Sequence, residues 1–166
     1  MKILCRLLSA LLLIVIILFY LPLTLPQLFG LNCSAVVSAS MEPSIKMGGL
    51  VYYRSVQPET LREGDVIVFR TSYGTDVSDV THRVVSNDLS ARIVTTKGDA
   101  NPNNDFSPIS YDLIRGLVVK AIPFGGNLAL FLTSDSGKWS MAGLLIPAVL
   151  FHIAGNLHTP SRKRQY

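Results

Sequence analysis

The sequence contains few charged residues, only two cysteines and no cluster of metal-binding side chains. Charged residues make up 16% of the 166 residues, against about 25% in an ordinary soluble domain. Cys5 and Cys33 are too few for a disulfide framework or a cysteine zinc site. No metal or cofactor is therefore expected. Hydrophobic residues reach 49%, a composition that excludes a disordered chain and favours one domain combined with membrane segments.

The net charge of +4 comes from the two ends of the sequence. Lys2 and Arg6 precede the first apolar run, and Arg162, Lys163 and Arg164 follow the second. Without those five residues, 10 Lys and Arg remain against 11 Asp and Glu. A nucleic-acid-binding domain carries its basic residues as a face or stripe. The pattern instead indicates basic flanks of membrane segments, so no nucleic-acid partner is expected.

The first apolar run is long enough to cross a membrane. No charged residue occurs from Leu7 to Met41, and the run is densest as far as Leu21. Since a spanning helix needs about 20 apolar residues, we expect a retained anchor over residues 1–32. A cleaved signal peptide is the alternative, because Ser38-Ala39-Ser40 is similar to a small-residue cleavage site. That site lies well beyond the apolar run, which favours the anchor.

The central region, residues 33–135, is predicted to form a mainly β domain. Charges reappear there, and short apolar stretches rich in Val, Ile and Tyr alternate with turns rich in Gly, Asn and Asp. The predicted strands are Leu50–Arg54, Val66–Arg70, Val80–Val85, Arg92–Thr96 and Leu113–Ile122. No window shows a strong helical period. Strands joined by short turns predict an antiparallel sheet.

The last section, residues 136–166, is expected to contain a C-terminal transmembrane helix and a basic cytoplasmic tail. Trp139–Leu157 is a stretch of 19 residues without Lys, Arg, Asp or Glu. Pro147 and His152 weaken this interpretation, and a buried amphipathic helix is the alternative. Two spans with basic ends predict that both termini are cytoplasmic and that the β domain is extracytoplasmic.

Ser40 is the candidate nucleophile, within the segment Ser38-Ala39-Ser40-Met41-Glu42-Pro43. A serine nucleophile needs a base within hydrogen-bonding reach and donors for the oxyanion. The small residues before Ser40 leave room for a substrate backbone, and Pro43 stiffens the turn. Because a lone serine is usually a solvated loop residue, the assignment depends on a partner base and acid.

His82 is the histidine of the β region, and it lies in a predicted strand. A single histidine in a strand is more often a half-buried structural residue than a base, since catalysis requires the right geometry. Two acids, Asp99 and Asp105, follow six residues apart. Either one would orient the imidazole and stabilise its charged form. Spacing alone does not choose between them.

Four segments, which include Ser40, His82, Asp99 and Asp105, resemble type I signal peptidases of the archaeal and endoplasmic-reticulum kind in their order along the chain. The resemblance covers residues 38–105 behind an N-terminal anchor, and the stretch Gly116–Gly126 is similar to the closing strand of the family. The matching pieces are Ser38-Ala39-Ser40-Met41-Glu42-Pro43, Gly64-Asp65-Val66-Ile67-Val68-Phe69, Thr81-His82-Arg83-Val84-Val85 and Lys97-Gly98-Asp99-Ala100-Asn101 with Asp105. Four motifs in order are more specific than any one of them.

The resemblance implies a role for each candidate residue. Ser40 matches the nucleophile and His82 the general base, at a position where the bacterial branch has a lysine. Asp105 matches the essential acid of the Ser-His-Asp branch, and Asp99 matches a supporting acid. Ser38 matches the serine whose hydroxyl helps to form the oxyanion hole, together with Ser40.

One position departs from the family. Members often have an acid after the glycine that matches Gly48, and Gly49 occupies that place here. The departure concerns a local turn rather than the chemistry. The walls of the substrate pockets are not assigned by the motifs, and Val36, Val37, Met41 and Val84 are candidates.

The resemblance implies a membrane-bound serine endopeptidase that removes signal peptides from secreted pre-proteins through a serine acyl-enzyme. The implied partners are signal-peptide-bearing pre-proteins and the lipid bilayer, and the resemblance also allows translocon or signal peptidase complex subunits. Two alternatives stay open. A self-cleaving regulator of the related serine-lysine fold is disfavoured by the apolar ends and the absence of a DNA-binding domain. A membrane-tethered β module would only bind a partner, with Ser40 in a linker and His82 structural.

Overall fold

The structure of the chain is a computed structural model that describes residues 2–73 and 76–156. The predicted basic cluster Arg162–Arg164 and the end of the second apolar run at Leu157 lie outside the described residues. The chain folds as two compact units. One comprises Leu23–Leu130, and the other combines residues 2–22 with residues 131–156.

The larger unit contains one seven-stranded sheet. Its strands are β1 (Leu31–Ala35), β2 (Leu50–Arg54), β3 (Val66–Tyr73), β4 (Asp76–Asp88), β5 (Ile93–Lys97), β6 (Ile109–Ser110) and β7 (Ile114–Ile122). They lie in the order β1-β2-β7-β3-β4-β5-β6, and every neighbouring pair is antiparallel. The predicted antiparallel β domain is confirmed.

Side chains on the two faces of the sheet enter two separate hydrophobic cores. Successive side chains of a strand point to opposite faces, and in β3 Ile67 and Phe69 join one core while Val68 joins the other. The first core comprises Leu61, Ile67, Phe69, Val84, Val94, Ile109 and Tyr111. The second comprises Val36, Met41, Ile45, Val51, Tyr53 and Val68. Each buried apolar side chain of this size contributes about 1.5–3 kcal/mol, so strand β3, which enters both cores, is stabilised from both faces.

Three elements of the structure were not expected from the sequence. Strands β1 and β6 form where no strand was predicted, and an eight-residue helix, α2 (Gly126–Thr133), lies in a region without a visible helical period. The absence of a strong helical period in residues 33–135 therefore did not indicate α2. The helix begins directly after Gly125 and is too short for an apolar period to stand out.

The smaller unit contains two long apolar helices, α1 (Lys2–Thr24) and α3 (Asp135–Asn156). The stretch Lys2–Phe29, which adds a 3-10 turn to α1, and the helix α3 are both long and apolar enough to cross a membrane. They touch near their ends, where the Arg6 guanidinium donates to Oδ1 of Asn156 at 3.2 Å. The predicted N-terminal apolar helix and C-terminal candidate span are confirmed, and both fit a membrane protein.

Candidate active site

Ser40 lies in the turn that connects β1 to β2. The residue after it, Met41, is fully buried in the second core, and Ile45 is buried beside it. The backbone N–H of Ile45 donates to the carbonyl of Met41 at 2.9 Å, which closes the turn. Ser40 itself is only half-buried. The core therefore fixes the backbone of the turn while the hydroxyl stays accessible.

Two consecutive glycines, Gly48 and Gly49, end this turn, and Gly49 is the residue that departs from the family pattern. Gly48 has a φ of +79°, in the left-handed region that favours glycine. A Cβ added at Gly49 would lie 2.9 Å from the carbonyl oxygen of Lys46 and 3.2 Å from that of Ile122. The turn forms here because both positions are glycines, and an acidic side chain at position 49 would require the backbone to move.

His82 lies in the middle of β4, opposite Ile67 of β3. The side chain is largely buried, at 11% exposure, and its ring packs edge-on against Phe69, with centroids 6.1 Å apart. Strands β3 and β5 flank β4 on either side. The imidazole is therefore held on a rigid part of the sheet, which a precisely placed base requires.

Ser40, His82 and Asp105 form a continuous chain of hydrogen bonds. Nε2 of His82 lies 3.1 Å from Oγ of Ser40, and Nδ1 of His82 lies 2.6 Å from Oδ2 of Asp105. A carboxylate accepts hydrogen bonds, so Asp105 selects the tautomer with the proton on Nδ1. The lone pair of Nε2 then faces the Ser40 hydroxyl and can accept its proton. The structure thus brings together three residues that lie far apart in the sequence.

Ser38, to which the resemblance assigns a role in the oxyanion hole, lies next to this chain of hydrogen bonds. Its Oγ is 3.1 Å from Oγ of Ser40. When Ser40 donates to His82, the Ser38 hydroxyl is free to donate to Ser40. A hydroxyl at this distance from the nucleophile is also within reach of an oxygen bound to the carbon that Ser40 attacks.

Asp99 has a different partner from Asp105. Its two carboxylate oxygens accept hydrogen bonds from Nε and Nη2 of Arg83, at 2.8 and 2.6 Å. Arg83 also donates from Nη1 to the carbonyl of Gly64 at 2.7 Å. The hydrogen bonds from Arg83 hold the pKa of Asp99 below its usual value, and a hydrogen bond from Ser44 adds to this against the opposing effect of burial. Asp99 therefore links β4 to the turn that carries Ser40.

The loop that carries both acids packs directly on Ser40. The backbone N–H of Ala100 donates to the carbonyl of Ser40 at 2.8 Å. A Cβ added at Gly98 would lie 2.6 Å from that carbonyl oxygen and 3.0 Å from Cβ of Ser40, so only a glycine allows this approach. At the other end of the loop, the N–H of Asp105 donates to the carbonyl of Thr96 at 2.8 Å. Both ends of the loop are anchored by the backbone.

A cavity of about 370 Å³ lies against His82 and Asp105, and its walls are both polar and apolar, lined by Phe69, Thr71, Val80, His82, Asp105, Phe106, Ser107 and Ile109. A second cavity, of about 340 Å³, includes Val37, an exposed residue just before the Ser40 segment, but none of the candidate catalytic residues. The other candidate pocket residues, Val36, Met41 and Val84, are buried in the two cores.

The sequence motifs assigned no role to two residues of this site, Arg83 and Thr96. Arg83 directly follows His82, and strand alternation directs their side chains to opposite faces. Thr96 is fully buried and donates from Oγ1 to Oδ2 of Asp105 at 2.6 Å. The available signal was a polar residue at an inward position of a strand, two residues after the buried Val94.

A comparison with protein-family profiles finds no matching family. Among curated proteins, the chain is similar to signal peptidase I W of Bacillus subtilis (strain 168). The two share 35% identity over 95 residues, which make up 54% of this chain and 47% of that protein. The chain thus spans about half the length of the curated relative. This similarity supports the resemblance to type I signal peptidases.

Proposed function

We propose that this chain is a membrane-bound serine endopeptidase that removes signal peptides from pre-proteins. The observation that carries the proposal is the hydrogen-bonded chain Ser40–His82–Asp105, with Nε2 of His82 3.1 Å from Oγ of Ser40. The similarity to a signal peptidase supplies the substrate class, since the geometry alone fits any acyl transfer.

Acylation begins when Oγ of Ser40 attacks the carbonyl carbon of the scissile peptide bond. Nε2 of His82 takes the hydroxyl proton, and the carboxylate of Asp105 stabilises the imidazolium through Nδ1–H. The Ser38 hydroxyl and the backbone N–H of Ser40 donate to the carbonyl oxygen as it becomes negative. His82 then gives the proton to the leaving amine, the C–N bond breaks, and the signal peptide is left as an ester of Ser40.

Deacylation repeats the same steps with water as the nucleophile. His82 accepts a proton from water, which attacks the ester carbon, and then returns a proton to Oγ of Ser40 as the ester breaks. Water supplies the hydroxyl of the product acid and the proton that returns to Ser40. The free enzyme is restored, and the signal peptide is released as a carboxylic acid that loses its proton to solvent.

We assign the chain to the archaeal and endoplasmic-reticulum kind of this family. In the bacterial branch, a lysine stands at the position of His82 and has to lose its charge before it can act as a base. Here the base is a histidine, and Asp105 contacts its Nδ1 at 2.6 Å. A carboxylate in this place supports an imidazolium and would keep a lysine charged, so the site is suited to a histidine base.

The proposed organisation has an anchor at residues 1–32, a catalytic domain at 33–135 and a second span with a basic tail at 136–166. Ser40 follows the first candidate span, which ends at Phe29, by only eleven residues in sequence. A nucleophile so close to a membrane exit suits a substrate that is itself held in the bilayer. Basic residues at both ends support a cytoplasmic location for both termini and an extracytoplasmic catalytic domain.

This topology predicts the accessibility of a tag attached after Tyr166. In intact cells, external protease should leave the tag undigested, and the tag should disappear once the cytoplasmic side is opened. A second tag in the exposed loop before β3, after Ser55, provides the opposite control and should be digested from outside. Digestion of the C-terminal tag in intact cells would contradict the second span.

The function is tested with the purified full chain in lipid vesicles and a radiolabelled secretory pre-protein. We expect release of the mature protein, with a new N-terminus at the signal-peptide junction by mass spectrometry. The same protein without its signal sequence serves as the control and should stay intact. Cleavage by the purified chain alone would show that translocon and signal peptidase complex subunits are not required. Absence of cleavage both in vesicles and in native membranes supplied with those subunits would contradict the proposal.

A further inference from the structure

Thr96 is a polar residue at a position where the sheet requires an inward-facing side chain. In β5, buried residues alternate with half-buried ones, and the buried pair is Val94 and Thr96, each at 0% exposure. Val94 belongs to the first hydrophobic core. A valine at position 96 would fill nearly the same volume without burying a hydroxyl, which is unfavourable unless the hydroxyl is hydrogen-bonded. Packing alone therefore does not account for a threonine rather than a valine at this position.

The Thr96 hydroxyl and the His82 imidazole bind the same oxygen atom. Oγ1 of Thr96 donates to Oδ2 of Asp105 at 2.6 Å, and Nδ1 of His82 lies 2.6 Å from that oxygen. The carbonyl of Thr96 also accepts the backbone N–H of Asp105 at 2.8 Å. One strand residue thus fixes both the backbone and the carboxylate of Asp105.

We propose that Thr96 is a positioning residue that aims the Asp105 carboxylate at Nδ1 of His82. Asp105 lies in a loop, and its side chain is 19% exposed, so rotation about its side-chain bonds would turn the carboxylate toward water. A second donor on Oδ2 prevents that rotation and adds a hydrogen bond to the ionised acid. Thr96 acts through Asp105 and does not contact Ser40 or substrate.

This inference rests on the proposed function, because it assigns Thr96 a role in the same Ser40–His82–Asp105 chain. Groups that orient a site from one contact further out typically change activity by about 10- to 100-fold when removed. The effect should fall on kcat rather than on KM, because substrate binding does not involve Thr96. It should also depend on the hydroxyl and not on the methyl group.

The test compares Thr96→Val, which removes only the hydroxyl, with Thr96→Ser, which keeps it. The matched control is Thr95→Val, one residue away, whose hydroxyl makes no hydrogen bond within the described chain and points to the other face. We expect Thr96→Val to lower kcat for pre-protein cleavage about 10- to 100-fold with unchanged KM. Thr96→Ser and Thr95→Val should stay near wild type at equal folded protein. A normal kcat in Thr96→Val, or an equal loss in Thr96→Ser, would overturn the proposal.

A spectroscopic readout separates this inference from the proposed function. With ¹⁵N-labelled histidine in detergent micelles, the Nδ1 proton of His82 should give a low-field signal that Asp105→Asn abolishes. Thr96→Val should shift or broaden that signal, and Thr96→Ser should retain it. This measurement needs no substrate, so it decides the role of Thr96 even if the wild-type chain cleaves no pre-protein. An unchanged signal in Thr96→Val would refute the positioning role.

Discussion

Ser40→Ala is expected to abolish pre-protein cleavage while leaving the fold intact. The substitution removes one hydroxyl from a half-buried turn whose backbone is fixed by the buried Met41. Loss of a serine nucleophile from a working triad costs roughly 10⁶-fold in kcat, which would leave no measurable product here. The measurement is product formation in lipid vesicles, with the thermal midpoint as the check on folding.

The control for this variant is Ser55→Ala, which removes the same group from an exposed loop after β2. It should cleave at the wild-type rate and melt at the same temperature. Cleavage by Ser40→Ala within a few-fold of wild type would show that another residue is the nucleophile, and the whole mechanism would have to be abandoned.

The two aspartates should differ sharply when each is replaced by asparagine. In Asp105→Asn, the amide can donate a hydrogen bond to Nδ1 of His82, which leaves the proton on Nε2, facing Ser40. The imidazole then cannot accept the serine proton, and the rate is expected to fall by roughly 10⁴-fold. Asp99→Asn breaks the ion pair with Arg83, so we expect a lower thermal midpoint and a rate loss below about tenfold.

These variants are compared at equal folded protein, since the loss of the Arg83 partner affects stability first. The ratio of the two rates is the decisive quantity, because both changes are isosteric and lie on the same loop. If Asp99→Asn is inactive and Asp105→Asn is nearly normal, the acids have exchanged roles. If neither changes the rate, His82 acts without an orienting carboxylate.

The sheet was predictable to the extent that each strand carries its own pattern. Strand β2 has the predicted bounds, and β3, β4, β5 and β7 differ from the prediction by a few residues at their ends. Strand β1, with the sequence LNCSA, has little β propensity and forms because it pairs with β2 at the edge of the sheet. Its existence depends on a tertiary contact that no local pattern encodes.

In the site, as in the sheet, local motifs could be predicted, but contacts between distant residues could not. The motifs identified Ser40 and His82, but Asp99 and Asp105 lie six positions apart in one loop. The path of that loop decides which acid reaches the imidazole. In the structure, Asp99 pairs with Arg83, and Asp105 lies at Nδ1 of His82. The sequence contains no periodic signal for such a loop, because its path is set by backbone contacts at its two ends.

Those contacts determine which changes the acid-bearing loop can absorb over evolution or in design. The N–H of Ala100 binds the carbonyl of Ser40, and the N–H of Asp105 binds that of Thr96, while Pro102, Asn103 and Asn104 are exposed between them. Those three side chains can therefore vary without loss of the two contacts. The number of loop residues cannot change, because one insertion or deletion would move either Asp105 away from the imidazole or the loop away from Ser40. The number of residues between Gly98 and Asp105 thus sets the position of the acid relative to Ser40.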